Sequence, residues 1–317
     1  VTEPSRELST LRTIFRARPA THRFRDPQSA RRELEQFIGA LPGPPAHQVR
    51  AVQIGGVPCE WVEAGEERSP HEAGGPAPGG GCVVLLHGGG YVSGSLASHR
   101  SLAVRISDQV TLPVLVVDYR RAPEEPFPAA YDDALAAVRA TLRETRGPVA
   151  LVGDSAGGGL AVAVSMALRD AGERLPEALV CLSPWTDLAV TGESVSSRAG
   201  ADPLFDRTSL ETMAGFYADG HPLTDPRISP LYGDLHGLPP TLIQVGDAEV
   251  LLSDSTRLAE TLEAAGVDVE LDVWPHMVHG WQMFAGLLPE GREALRRIGT
   301  FLRTGSGLQP STPGDSR

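Results

Sequence analysis

Cysteine is scarce in this chain. Cys59, Cys82 and Cys181 are three thiols in 317 residues, odd in number and far apart. No pair has the spacing of metal ligands and no disulfide framework follows, so all three read as small core residues and no metal is expected. Aromatic residues are sparse at 5%. Basic residues are outnumbered, 28 Lys and Arg against 40 Asp and Glu. The resulting formal net charge of −12 argues against a nucleic-acid partner, which demands clustered Lys and Arg, and chiefly favours solubility. Long apolar runs are missing too. The longest, Ala156 to Leu168, is too short to span a bilayer and suits a buried helix. The stretch VTEPSRELSTLRTIFRARP is charged throughout and has no apolar segment, so no signal peptide is read there and a cytoplasmic location is expected.

What the chain does have is apolar patterning, with 41% hydrophobic residues. Ser5 to Arg16 carries Leu8, Leu11 and Phe15 at helical spacing, and Pro27 to Leu41 carries Leu34, Phe37 and Ile38 behind Asp26, a candidate N-cap. Two strands, VRAVQI and CEWVEA, are joined by the turn-like GGVP. Residues 65–81, GEERSPHEAGGPAPGGG, show no apolar pattern and read as a flexible surface excursion. From residue 82 the strands CVVLLH, PVLVVDY, VALVG, ALVCLS, TLIQVG and VELDVW alternate with helices near 99–109, 129–144, 156–171, 253–265 and 290–303. Near-continuous apolar strands alternating with helices predict an α/β fold, a mostly parallel sheet covered on both faces. Residues 186–240 break the alternation, holding helical pieces such as SLETMAGFYA and no clear strand. An insertion at the carboxyl end of a strand lies where open α/β sheets bind ligands.

The chemistry concentrates at strand ends. Gly153-Asp154-Ser155-Ala156-Gly157 stands between the strand VALV and an apolar helix. This is the context of a nucleophile elbow, in which flanking glycines relieve crowding and the serine projects above the sheet. His87-Gly88-Gly89-Gly90 ends the strand CVVLLH, and consecutive glycines let N–H groups converge as an oxyanion hole requires. A phosphate loop would need a G-K-[ST] ending, which is absent. His87 reads as a residue that orders this loop. WPHMVHGW, after the last strand, offers His276 and His279 as a general base. Asp247 and Glu249, after TLIQVG, are both candidates for the acid that fixes the imidazole, whereas Asp254 reads as an N-cap of the helix that follows.

HGGGY (87–91), GDSAGG (153–158), SPWTDL (183–188), GDAEVLLSD (246–254) and WPHMVHGW (274–281) occur in the order of the hormone-sensitive-lipase-like, type IV bacterial esterases. The chain resembles that group of α/β-hydrolases over most of residues 82–305. The resemblance implies Ser155 as nucleophile, His279 as base, and Gly89, Gly90 and Ala156 as oxyanion donors; His87, Gly88 and Asp154 are read as residues that support them. Many members carry Asp-Pro-Leu at the acid position, where this chain reads Glu249-Val250-Leu251. A sub-branch uses Glu there, which favours Glu249 and leaves Asp247 as the alternative.

The resemblance also implies a cap. The expected organisation is N-terminal cap helices over 1–45, a catalytic core over 46–185 and 236–305, a cap insertion over 186–235, and a disordered tail over 306–317. The function expected is hydrolysis of small acyl esters through an acyl-enzyme, with no cofactor. Removal of an N-acetyl group from a natural product is an alternative on the same residues. A catalytically silent small-molecule receptor is the alternative from another class. A homodimer is compatible with the resemblance.

Overall fold

The computed structural model describes residues 3–17, 26–65, 76 and 80–305. Most of the 65–81 excursion and the 306–317 tail lie outside the described residues.

Two antiparallel strands, β1 (His47–Ile54) and β2 (Val57–Ala64), open the sheet. Their hairpin is tighter than the expected GGVP turn. Only Gly55 and Gly56 form it, with φ of 61° and 83°, while Val57 and Pro58 already belong to β2. Two positive φ values in succession are those of the hairpin turn whose twist matches its strands. β3 (Cys82–Leu86), β4 (Val114–Val117), β5 (Val149–Asp154), β6 (Ala178–Leu182), β7 (Thr241–Gly246) and β8 (Val269–Trp274) complete an 8-stranded sheet in the order β1-β2-β4-β3-β5-β6-β7-β8. Every pairing from β4 to β8 is parallel, and β2 joins β4 antiparallel.

The strands are apolar on both faces because both are covered. Cys82, Val84 and Leu86 of β3 join one core, and Val83 and Leu85 join the other. The first core packs against α4 (Ala129–Glu144), α5 (Ala156–Asp170) and α8 (Leu252–Ala264). The second packs against α3 (Leu96–Val110) and α9 (Pro289–Gly305). All three cysteines are free and buried in strands, and burial pushes each thiol up to about 12. α3 starts three residues earlier than expected because Ser95 and Ser98 form a reciprocal capping box.

A third apolar cluster lies beside the carboxyl ends of the strands. Leu8, Leu11 and Phe15 of α1 (Arg6–Arg16) meet Ile38 of α2 (Pro27–Gly39), Leu204, Trp281 and Phe284. Ser5 caps α1, accepting from the Leu8 N–H at 3.1 Å, and bonds both oxygens of Glu290 on α9. Asp26 caps α2, with Pro27 at the first position. Arg31 of α2 bonds Glu124 and the carbonyls of Val92 and Ala122. Residues 186–235 hold α6 (Ser194–Ser197) and α7 (Arg207–Ala218). Removing residues 1–40 is expected to bare this third cluster and to lower solubility and melting temperature together. An unchanged thermal unfolding midpoint in the truncated protein would show that α1 and α2 contribute no stability.

Candidate active site

Each chemically interesting residue enters from the carboxyl end of a parallel strand. Ser155 follows β5 at φ 53° and ψ −120°, a strained conformation for a residue with a Cβ. Its N–H donates to Leu182 O at 2.8 Å, and its carbonyl accepts from Trp185 N–H at 2.9 Å. The flanking glycines are required by distance. A Cβ on Gly153 would stand 2.1 Å from Gly157 O, and one on Gly157 would stand 2.0 Å from Leu86 O. Ser155 is 7% exposed, and among the described residues its hydroxyl makes no hydrogen bond.

β8 leads to His279, whose Nδ1 lies 2.8 Å from Glu249 Oε2. A carboxylate only accepts, so Nδ1 carries the proton and Nε2 keeps a free lone pair. Glu249 is fully buried, and its other oxygen accepts from Ser183 Oγ at 2.7 Å and Gly246 N–H at 2.6 Å. Asp247 goes elsewhere. Its carboxylate accepts the His276 N–H at 2.6 Å and braces the turn after β8. His276 occupies that turn at φ 64° and does not line the cavity that holds His279.

The glycine loop after β3 is held from below. Gly88 N–H donates to Asp154 Oδ1 at 2.9 Å, and Asp154 Oδ2 lies 3.3 Å from His99 Nε2. Burial opposes the Asp154 charge, but His99 and the Gly88 N–H more than offset it, so the carboxyl stays below its usual range. His87 stacks on Tyr119 with ring centres 4.1 Å apart and pairs its Nδ1 with Gly88 O. Burial and the neighbouring His99 push His87 down to about 3, so it is a neutral, structural imidazole. Gly89 and Gly90 both adopt positive φ, and a Cβ on Gly90 would stand 2.1 Å from Met213 Sδ. The N–H groups of Gly89, Gly90 and Ala156 have no partner among the described residues, which leaves them free for a ligand oxygen.

Ser155 and His279 open into one cavity of about 120 Å³. Gly89 lines it, and Phe15, Leu34, Phe37, Leu204, Phe205 and Phe284 form most of its apolar wall. Phe15, Phe37 and Phe284 touch one another, with ring centres 5.3 to 5.9 Å apart. Among the described residues no cluster of His, Cys, Asp and Glu has the geometry to hold a metal ion, and no helix is long and apolar enough to cross a membrane.

The architecture has known counterparts. A model of the α/β-hydrolase fold matches residues 83–283. The crystal structure of an esterase from the bacterial hormone-sensitive lipase family superposes with a TM-score of 0.86 at 42% identity, covering 96% of this chain and all 100% of that one. The chain is an α/β-hydrolase of the hormone-sensitive lipase family. An acetyl-hydrolase of Streptomyces hygroscopicus is 44% identical over 275 residues, 86% of this chain and 87% of that protein. An esterase of Acinetobacter venetianus is 35% identical over 278 residues, 87% of this chain and 88% of its own.

Three features of this hydrolase site escape the sequence. Ser183 supports Glu249, and nothing in SPWTDL marks it as a donor. Asp202 accepts from Leu204, Phe205 and Val250, and its Asp-Pro pair signals only a turn. Asp254 is not the N-cap it resembles. It lies inside the first turn of α8, buried, and accepts the N–H groups of Thr186 and Asp187, both at 2.8 Å. Those donors are supplied by a loop far away in sequence, so local pattern cannot reveal them.

Burial alone would disfavour the His279 cation. The hydrogen bond and charge of Glu249 outweigh it, with Asp202 and Asp154 adding to them, so the imidazole titrates above the ordinary histidine value. If His279 is the base it must be neutral, and activity then falls as pH drops through that raised pKa. The acidic limb of kcat/KM should lie above about 6.5. Glu249→Gln keeps the shape but favours the wrong tautomer, a change that costs on the order of 10⁴-fold in the Ser-His-Asp proteases. Glu249→Gln should thus lose most of kcat with little change in melting temperature, and Asp247→Asn should lose far less. The reverse order would move the acid to Asp247.

Proposed function

We propose that this hydrolase cleaves small carboxylic esters through an acyl-enzyme, with Ser155, His279 and Glu249 as its triad. The observation that carries the reading is the buried 2.8 Å pair of His279 with Glu249, opening into the cavity where the strained Ser155 also stands. His279 Nε2 takes the proton of Ser155 as Oγ attacks the ester carbonyl. The negative charge that develops on the carbonyl oxygen is held by the free N–H groups of Gly89, Gly90 and Ala156, assisted by the N-terminus of α5. The alcohol leaves with the proton from His279, and water then repeats the sequence to release the acid. Contacts between nucleophile and base are often long before substrate binds, which fits the unbonded Ser155 hydroxyl.

The cavity wall supports a cap made of residues 1–45 and 186–235 over a core of 46–185 and 236–305. Phe15, Leu34 and Phe37 come from the first segment, and Leu204 and Phe205 from the second. A cavity of about 120 Å³ favours a short acyl group over a long lipid chain. Deacetylation of an N-acetyl compound remains the second reading, favoured by the name acetyl-hydrolase carried by the Streptomyces protein. A homodimer through β8 is supported by its place at the edge of the sheet and by Val273, 44% exposed on it.

Ser155→Ala should lower kcat for p-nitrophenyl acetate on the order of 10⁶-fold while leaving the melting temperature close to wild type. A fluorophosphonate should label the wild type and not the variant. Turnover of N-acetyl amides with none of acyl esters would replace the esterase reading by the deacetylase one. No labelling of the wild type would favour a receptor.

A further inference from the structure

Asp202 is a buried carboxylate beside the proposed triad and outside it. One oxygen accepts the N–H groups of Leu204 and Phe205 at 2.8 and 3.1 Å. The other accepts the N–H of Val250, the residue after Glu249, at 2.9 Å. A single side chain thus ties the loop that bears Glu249 to the cavity wall. Phe205, on the wall side, presents its ring edge-to-face to the His279 imidazole with centres 4.8 Å apart.

We infer that Asp202 is a positioning residue for His279, locking the Glu249 loop to the Phe205 wall and adding a second negative charge that favours the imidazolium formed during reaction. The assignment rests on the triad reading above. Three charged groups face Asp202: His279 after β8, Glu249 after β7, and Arg12 from α1, which also feels Asp247. Burial raises the Asp202 carboxyl to about 6, against the pull of its backbone donors and of His279, so it is charged at neutral pH. The same charge helps raise the pKa of His279. Three backbone donors on one carboxylate are what a merely structural turn would also show. The charge felt by His279 separates the two roles.

Asp202→Asn is nearly isosteric but replaces one accepting oxygen with a donor and removes the charge. The expected result is a kcat lower on the order of 10-fold, and an acidic limb of kcat/KM moved to lower pH. Asp202→Glu, which keeps the charge, should return the limb towards the wild-type position even if kcat stays reduced. An Asn variant that loses activity with its acidic limb unmoved overturns the assignment and leaves Asp202 a structural turn. If the Asn variant does not fold, the wild type decides. The His279 imidazole titration, followed by NMR in the wild type, should be broader than a single-proton curve, because Asp202 protonates near pH 6 and withdraws the charge that favours the imidazolium; a single-proton curve overturns the inference. Fluorophosphonate labelling of the wild type is measured alongside. If it fails, the triad reading falls and this assignment with it; if it succeeds while the limb stays fixed, only the role of Asp202 is lost.

Discussion

The site depends on one backbone conformation, the turn at Ser155. A residue with a Cβ held at φ 53° is stable only where its surroundings over-determine it. Here the Ser155 N–H is taken by Leu182 O and its carbonyl by Gly158, Gly159 and Trp185 N–H groups. Those bonds fix β6, α5 and the SPWTDL segment around the turn. The glycines follow from the same geometry. Crossing from β5 into α5 this sharply brings Gly153 against Gly157, and Gly157 against the end of β3, at separations no Cβ can occupy. The close approach to β3 also carries the glycine loop of residues 88–90 next to the N-terminus of α5, so the N–H groups of Gly89, Gly90 and Ala156, unpaired among the described residues, come from two neighbouring elements.

Buried charge is managed in pairs around this turn. Asp154 precedes Ser155 and points away from it, where His99 and the Gly88 N–H keep it ionised. It therefore holds the glycine loop and leaves His279 to Glu249. Glu249 is surrounded by donors at both oxygens, which supports a charge in a water-poor setting. The consequence is a division of labour among carboxylates close in sequence: Asp247 braces a turn, Glu249 addresses the imidazole, and Asp254 gathers the loop after β6.

How much of this was legible from the chain follows from the range of each interaction. The strands are visible because burial on both faces makes each a continuous apolar run, and Leu8, Leu11 and Phe15 are visible because a helix repeats its buried face. The glycines of residues 88–90 and 153–158 signal close approach whatever the neighbours are. Boundaries are less visible, as the Ser95–Ser98 capping box shows by lengthening α3. Asp202 shows only a turn signal and Asp254 only a helix start. Each also accepts backbone donors from a segment nearly 50 or more residues distant, and an acid that caps its own helix has the same local pattern as one that reaches across the fold.

The two requirements of the site, its reactive groups and an apolar wall, are met by different parts of the chain, and this separates chemistry from selectivity. The sheet and its strand-end loops supply Ser155, Glu249, His279 and the N–H groups, all fixed by parallel pairing that leaves little freedom. The cavity wall is supplied by Phe15, Leu34 and Phe37 before β1 and by Leu204 and Phe205 after β6, outside the sheet. Side chains on those segments can change size without disturbing a strand, so the shape offered to an acyl group can vary while the reacting atoms stay in place. The two parts are joined by the third apolar cluster and by polar contacts: Ser5 to Glu290, Arg31 to Glu124, and Asp202 to Val250. Of these, only Asp202 reaches the residue next to the proposed acid. On the proposed mechanism, a wall that shifts through Phe205 would be felt at His279 through the ring contact and through Asp202, coupling the shape of the cavity to the basicity of the proposed base.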